Sequence, residues 1–313
     1  MPARRIQSLG WRAAGGGRLS AFVGFSRPHT IVGTVVSVCA LFVLARFLAT
    51  PRDPSALDLV TALLGGLAVN VYIVGLNQLT DVDLDRVNKP WLPLPAGSLA
   101  QRDARLLVAG ALAAAAVIGA LGGPWLLGAL TIAAVLGTAY SVRPLRLKRF
   151  HALAAGCIVG VRGLTVNLLV FAHFAAAPGG GMPLPAPLLA LTLVVVVVGL
   201  VIAWFKDLPD MEGDRRHAIG TLPLRLGARR VVAMGVGALL ATHIAVVAAG
   251  LVGITGLHTG VLVAGHAGLA AALGWSVRRL ALGDPRSTAA FYRSIWKLFS
   301  AEYAVFAAAA VLA

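Results

Sequence analysis

Apolar residues dominate the chain in runs of about twenty positions, and short polar segments separate these runs. Residues 188–205 include a single polar side chain, Thr192, and residues 31–45 include only Thr34 and Ser37. A helix of about 20 apolar residues spans the hydrocarbon core of a bilayer. The pattern therefore predicts an all-α, polytopic membrane protein.

Glycine and proline divide the apolar runs into nine predicted transmembrane helices. The clearest breaks are residues 122–124, 178–181 and 253–256. The predicted helices are 30–49, 58–79, 104–121, 125–140, 151–175, 186–205, 229–251, 257–276 and 290–312. The loops are too short for a further domain, so we expect one domain over residues 1–313, in which residues 1–27 form a basic cytosolic tail.

Basic residues set the expected orientation of the chain in the membrane. The net charge is +15, and 24 of the 27 Lys and Arg fall on one side of the nine-helix arrangement, all except Arg46, Arg52 and Arg162. Short basic loops on one side are typical of the cytosolic face. We expect a cytosolic N-terminus, cytosolic active-site loops and a C-terminus on the opposite side. We therefore expect the basic residues to reflect insertion into the lipid bilayer, and we expect no binding of nucleic acid.

Carboxylates are concentrated in two short segments. One segment follows the second predicted helix and the other follows the sixth. Together they contain seven of the 12 Asp and Glu: Asp81, Asp83 and Asp85 in the first, and Asp207, Asp210, Glu212 and Asp214 in the second. Residues four apart share one face of a helix, which pairs Asp81 with Asp85 and Asp210 with Asp214, while Asn77 lies one turn before Asp81. The alternative is that these acids only form salt bridges with nearby arginines.

A stack of oxygen ligands suits Mg²⁺, which takes one or two protein carboxylates and completes its shell with water and phosphate. Two facing stacks could hold two Mg²⁺ ions and a diphosphate between them. The predicted catalytic and metal residues are Asn77, Asp81, Asp85, Asp207, Asp210 and Asp214. Asp83 points to the opposite helix face and is expected to be solvated.

Cationic residues complement the acids, because a diphosphate leaving group needs positive charge nearby. Arg143, Lys148 and Lys206 are the candidates. Arg146 and Arg149 are interpreted only as part of the excess of basic residues in the cytosolic loops, with no role in the site. Arg162 falls near the middle of an apolar helix, where a charge is costly and indicates a functional role.

The two acidic segments resemble the motifs of the UbiA superfamily of intramembrane aromatic prenyltransferases. Residues 77–85 (NQLTDVDLD) are similar to its N-x-x-x-D-x-x-x-D motif, and residues 206–214 (KDLPDMEGD) to its D-x-x-D-x-x-x-D motif. Residues 26–30 (SRPHT) and 140–149 (YSVRPLRLKR) match as well. This resemblance implies nine helices around a central cavity, capped by cytosolic loops, in which Mg²⁺-bound prenyl diphosphate ionises and an aromatic carbon attacks the cation.

Other stretches are similar to the homogentisate prenyltransferases of this superfamily: Asn77-Gln78, residues 88–93 and residues 162–167. Residues 95–97 (PAG) depart from the Ala-Ser-Gly that those enzymes often carry. With homogentisate as acceptor, loss of its carboxylate would accompany prenylation, and Arg27 and Arg162 are candidates to bind that carboxylate. The resemblance implies substrate-binding roles for Arg27, Gln78, Tyr140, Arg143, Lys148, Arg162, Asn167 and Lys206.

Two alternatives stay open at this point. The acceptor could belong to the menaquinone, chlorophyll, haem or ether-lipid pathways, or the chain could be a membrane transporter. Three residues of the late helices receive structural interpretations. His243 and His266 are expected to form hydrogen bonds inside the bundle, and Trp296 is expected near a helix end at the membrane interface.

Overall fold

The computed structural model describes residues 17–48, 50–209, 211, 215, 221–253 and 256–313, and the regular elements described in it are helices. In chain order they are α1 (Arg18–Phe25), α2 (Pro28–Phe47), α3 (Ala56–Thr80), α4 (Val82–Asn88), α5 (Gln101–Gly122), α6 (Pro124–Ser141), α7 (His151–Ala175, π-helical over Val159–Val170), α8 (Ala186–Phe205), α9 (Leu222–Leu226), α10 (Ala228–Leu251), α11 (Thr259–Arg278) and α12 (Pro285–Val311). A one-turn 3₁₀ helix covers Leu147–Arg149.

Nine helices in this part of the chain are long and apolar enough to cross a membrane, which confirms the predicted number. They are α2, α3, α5 to α8 and α10 to α12. Large apolar side chains on their outer faces are exposed, among them Leu64, Leu193 and Ile244. Such a continuous apolar exterior is stable only against lipid, so the outer face of the bundle is its bilayer contact.

Helix α1 corrects the prediction of a simple tail over residues 1–27. Phe25, at its end, is fully buried, and a Cβ added at Gly75 of α3 would lie 2.8 Å from the Phe25 ring. The side chain of Gln78 donates a hydrogen bond to the Phe25 carbonyl at 2.6 Å. Residues 18–25 are therefore a packed part of the fold.

The last helix begins five residues earlier than predicted. The carboxylate of Asp284 accepts hydrogen bonds from the backbone N–H groups of Arg286 and Ser287, which caps the helix at Pro285. As a result Trp296 lies well inside α12 rather than near its end. Arg293 and Lys297 lie on the exposed side of the same helix.

A buried polar cluster joins the three C-terminal spans. His243 Nε2 lies 2.9 Å from one Glu302 carboxylate oxygen, and His266 Nε2 lies 3.2 Å from the other. The His243 contact is a hydrogen bond, and His266 Nδ1 forms another with the Leu262 carbonyl at 2.8 Å, which confirms that both histidines form hydrogen bonds inside the bundle. Their shared partner, Glu302, was not singled out from the sequence. Hydrogen bonds of this kind hold membrane helices together where burial of apolar surface gives little driving force.

Candidate active site

A cavity of about 1770 Å³ runs through the bundle between α2, α3, α6, α7 and α12. Helix α1 and the segment 89–98 contribute to its capped, polar end. The structure brings ten predicted site residues to this one cavity: Arg27, Asn77, Asp81, Asp85, Tyr140, Arg143, Lys148, Arg162, Lys206 and Asp207. Their convergence from distant parts of the sequence makes the cavity the candidate active site.

The first acidic segment is not one continuous helix, which corrects the predicted stack. Helix α3 ends at Thr80, Asp81 has φ −116° and ψ 13°, and α4 begins at the next residue. The backbone N–H of Asp85 still donates to the Asp81 carbonyl at 2.7 Å. This break keeps both carboxylates buried against the cavity, while Asp83 is exposed beside Arg86 as predicted.

Two cations from the loop after α6 hold the Asp81 carboxylate. Arg146 donates to Oδ1 at 2.9 Å, and Lys148 donates to Oδ2. Arg146 takes the left-handed conformation, with φ 36°, directly before the 3₁₀ turn. Strained backbone of this kind clusters at functional sites. The interpretation of Arg146 as only part of the basic excess of the loops is therefore wrong, because its guanidinium belongs to the site.

The Asp85 carboxylate lies at the same end of the cavity, within the electrostatic influence of Lys89 and Arg27. Burial raises the pKa of Asp85, against the opposing effect of Lys89 and Arg27. Its Oδ2 atom is buried and accepts no hydrogen bond from the residues that the structure describes. Burial also lowers the pKa of Lys148, although Asp81 works against this shift. A buried carboxylate oxygen without a partner is costly, so this position favours an added cation.

The oxygen donors present fit Mg²⁺ in part. Asn77 Nδ2 donates to Ser141 Oγ at 3.3 Å, so the amide oxygen is the atom left for a ligand. Together with Asp81 and Asp85 it forms a set of hard oxygen donors of the type that Mg²⁺ prefers. Across the described ranges, no three His, Cys, Asp or Glu side chains converge as a complete metal site. Asp210 and Asp214 lie outside the described residues.

Lys206 and Asp207 follow α8 and line the cavity. Lys206 Nζ donates to the Tyr140 hydroxyl at 3.4 Å. Burial acts to lower the pKa of Lys206, but Tyr140 and the Asp207 carboxylate outweigh it and the pKa is raised. Lys206 is therefore a cation at neutral pH within this end of the cavity.

Arg162 lies deeper, within the π-helical part of α7, where its exposed surface faces the cavity. Its guanidinium stacks over the Trp296 ring, 4.9 Å from the centroid, and lies 6.0 Å from that of Phe299. Gly33 of α2 lies next to the guanidinium, since a Cβ added there would be 3.4 Å from Nη1. Trp296 is thus a cavity residue, and the prediction that placed it at the membrane interface is wrong.

The contacts of Arg162 include no carboxylate anywhere in the part of the chain that the structure describes. A cation held at this depth without a counter-ion is unfavourable. Its side chain is consequently positioned for an anionic group that enters the cavity.

Two predicted substrate-binding residues do not reach the cavity. Gln78 and Asn167 are both fully buried in the protein. Gln78 holds α1 through the Phe25 carbonyl, and Asn167 Oδ1 accepts from the Tyr303 hydroxyl at 2.7 Å. Their placement corrects the prediction of direct substrate contact, because each amide is used to position a neighbouring element.

One face of α12 was missed as part of the site. Tyr292, Trp296, Phe299 and Tyr303 line the cavity at intervals of four, three and four residues. Residues at this spacing lie on the same side of a helix, so the aromatic stripe was a signal present in the sequence. The stripe forms the wall against which Arg162 packs.

Comparison with known proteins identifies the family. The UbiA prenyltransferase family matches residues 36–299. The chain belongs to the UbiA prenyltransferase family. It is 44% identical to the homogentisate phytyltransferase of Synechocystis sp., over 92% of this chain and 94% of that protein. It is 38% identical to the chloroplastic homogentisate solanesyltransferase of Arabidopsis thaliana, over 96% of this chain and 76% of that protein.

A solved structure shares the fold. A UbiA homolog from Archaeoglobus fulgidus, bound to GPP and Mg²⁺, superposes with a TM-score of 0.62 at 17% identity, over 91% of this chain and 99% of that one. Family membership, together with the nine apolar helices of the described chain, identifies the protein as an integral membrane prenyltransferase. The transporter alternative is excluded by this family membership.

Proposed function

We propose that this enzyme transfers a prenyl group from a prenyl diphosphate to homogentisate in a Mg²⁺-dependent reaction. The observation that carries the proposal is the division of one cavity into two sites. Acids and cations gather at its capped end, and Arg162, which contacts no carboxylate among the described residues, lies deeper against an aromatic wall. The similarity to enzymes named for homogentisate favours this acceptor over those of the menaquinone, chlorophyll, haem or ether-lipid pathways.

The capped end would bind the diphosphate. Asn77, Asp81 and Asp85 from the first acidic segment, and Asp207, Asp210 and Asp214 from the second, would hold two Mg²⁺ ions. Bound Mg²⁺ supplies positive charge that improves the diphosphate as a leaving group. Arg143, Arg146, Lys148 and Lys206 line this part of the cavity and would bind the phosphate oxygens as negative charge develops on them.

The deeper part would bind the acceptor. The allylic C–O bond breaks, and the electron pair leaves with the diphosphate. An electron-rich aromatic carbon forms the new C–C bond and then loses its proton. Loss of the acceptor carboxylate as CO₂ leaves a methylene carbon that takes up a proton, so the proton count balances. The apolar walls would exclude water, which would otherwise capture the prenyl cation.

The assay of this proposal uses the purified full chain in detergent. Homogentisate, 4-hydroxybenzoate and a dihydroxynaphthoate are compared as acceptors with each prenyl diphosphate. We expect the fastest turnover with homogentisate, a product mass that corresponds to decarboxylation, no product in excess EDTA, and recovery on addition of Mg²⁺. Faster prenylation of either other acceptor would contradict the assignment of homogentisate, and full activity in EDTA would contradict the role of the acidic segments.

We also propose that the N-terminus and the capped end of the cavity face the cytosol and that the C-terminus lies on the other side. The basis is the segregation of 24 of the 27 Lys and Arg. Reporters fused after Arg149 and after Gly180 are expected to report the cytosol and the opposite side, respectively. A cytosolic signal from the Gly180 fusion would overturn this orientation.

A further inference from the structure

A second, smaller groove lies on the outer face of the bundle, between α5 and α6. Its volume is about 500 Å³, which is typical of sites for small molecules. Tyr72, Ala115 and Leu130 form its inner wall and are buried, whereas Leu112 and Val135 on its rim are exposed. Leu130 also lines the central cavity, so α6 is the wall between the two. The groove therefore opens towards the bilayer and is separate from the active site.

The groove follows α6 over most of its length. Its lining runs from Leu127 to Val142, a separation of 15 residues, which is about 22 Å at the helical rise of ~1.5 Å per residue. One leaflet is ~15 Å thick, half of the ~30 Å hydrocarbon core. The hydroxyls of Tyr72 and Thr138 lie 2.6 Å apart, and Thr138 Oγ1 also donates to the Ala134 carbonyl at 2.7 Å. These hydroxyls are used within the protein, so the groove suits a hydrocarbon chain.

Two exposed arginines lie at one end of this groove. Arg143 lines it directly, and Arg105 lies on the face of α5 that carries Leu112 and Ala116, seven and eleven positions later. Helices α5 and α6 form a hairpin that turns at Gly123. Arg105 lies 18 residues before this turn and Arg143 lies 20 residues after it. The two arginines are therefore at nearly the same depth in the membrane.

The charge at this end indicates the kind of molecule that fits. Among the described residues, neither Arg105 nor Arg143 forms an ion pair. Basic residues at the surface of a bilayer attract anionic headgroups. A second copy of this chain would instead bring more positive charge, since each copy has a net charge of +15. A phosphate beside the arginines and an acyl chain along α6 match both parts of the groove.

We propose that this groove binds an anionic phospholipid, with its phosphate at Arg105 and Arg143 and one acyl chain along α6. Pro144 and Leu145 of the following loop also line the groove. The next residue, Arg146, reaches the central cavity and donates to Asp81. The bound lipid therefore supports, from the outside, the loop that holds Asp81, and it is expected to raise turnover. The effect on turnover rests on the proposed function, whereas the binding of the lipid does not.

The binding is tested with the purified full chain in a neutral detergent. Phosphatidylglycerol or phosphatidylcholine with the same acyl chains is added, and the lipid retained by the protein is counted by native mass spectrometry. We expect the wild type to retain one phosphatidylglycerol in preference to phosphatidylcholine. Arg105→Gln is expected to lower the affinity for phosphatidylglycerol about fivefold, and Ala116→Phe, which fills the groove, to abolish its retention.

Each variant has a matched control. Ala113 is also exposed on α5 but lies outside the groove and the central cavity, and Arg230 is exposed at the start of α10 and lines neither. Ala113→Phe and Arg230→Gln should retain the lipid as the wild type does. Equal retention of both lipids by the wild type, or unchanged retention by Ala116→Phe, would overturn the proposal. So would a lipid-free dimer that Ala116→Phe dissociates, because a second copy would then occupy the groove.

Turnover tests the effect of the lipid on the loop. Phosphatidylglycerol is expected to raise kcat at least about twofold over phosphatidylcholine in the wild type and in Ala113→Phe. Arg105→Gln and Ala116→Phe should keep the wild-type rate in phosphatidylcholine and lose the increase. Selective retention of phosphatidylglycerol by a chain that does not prenylate homogentisate supports the lipid site and contradicts only the proposed acceptor. Selective retention with equal kcat in both lipids would overturn the role of the lipid in supporting the loop.

Discussion

Asp81→Ala is expected to reduce prenyl transfer by roughly 10²–10³-fold or more, the usual loss when one group that stabilises developing charge is removed. Asp81 positions two cations at the capped end of the cavity, because its two carboxylate oxygens form ion pairs with Arg146 and Lys148. Without it these two cations repel each other, and one predicted metal ligand is lost. The measurement is kcat with saturating donor and Mg²⁺.

Asp83→Ala is the matched control, since the exposed Asp83 contacts Arg86 on the opposite side of α4. It should retain wild-type turnover. Asp81→Asn keeps the shape and a hydrogen-bonding oxygen but removes the charge, and it should be nearly as inactive as Asp81→Ala. If Asp81→Asn inserts normally and turns over within about twofold of wild type, the charge of Asp81 has no part in catalysis.

Arg162→Leu is expected to raise the KM for the aromatic acceptor about ten- to a hundred-fold and to leave the KM for the prenyl diphosphate nearly unchanged. A hydrogen bond to a charged group contributes roughly 1.5–3 kcal/mol, which gives this range. The reason is that Arg162 lies deep in the cavity, where it stacks on Trp296 and is paired with no carboxylate of the described chain. Initial rates with each substrate varied separately provide the test.

Arg279→Leu is the matched control, because it also removes a guanidinium that stacks on a tryptophan. The Arg279 guanidinium lies 4.3 Å from the centroid of the Trp275 ring. Arg279 and Trp275 lie outside the cavity, so both KM values should stay at the wild-type level. A rise in the KM of the donor alone for Arg162→Leu would assign Arg162 to the diphosphate instead. Loss of expression with unchanged KM values would assign it to folding.

The sequence by itself determined the nine spans and most of the polar end of the cavity. Runs of apolar residues predict membrane helices from local composition alone, and α3 and α8 lie within two residues of their predicted bounds. The concentration of acids at Asp81, Asp85 and Asp207 was equally local. These features needed no knowledge of which helices are neighbours.

The tertiary structure alone decided which of these residues meet. Asp81 and Arg146 are 65 positions apart, and their pairing depends on how the loop after α6 folds back over α3. Gln78 and Asn167 were predicted at the cavity because they lie in motifs with residues that line it, yet both turn away to hold Phe25 and Tyr303. A motif fixes spacing along a helix, whereas the direction in which a side chain faces depends on how neighbouring helices pack. The hydrogen bond from Arg52 to the His173 carbonyl has the same origin, since it joins residues that are 121 positions apart.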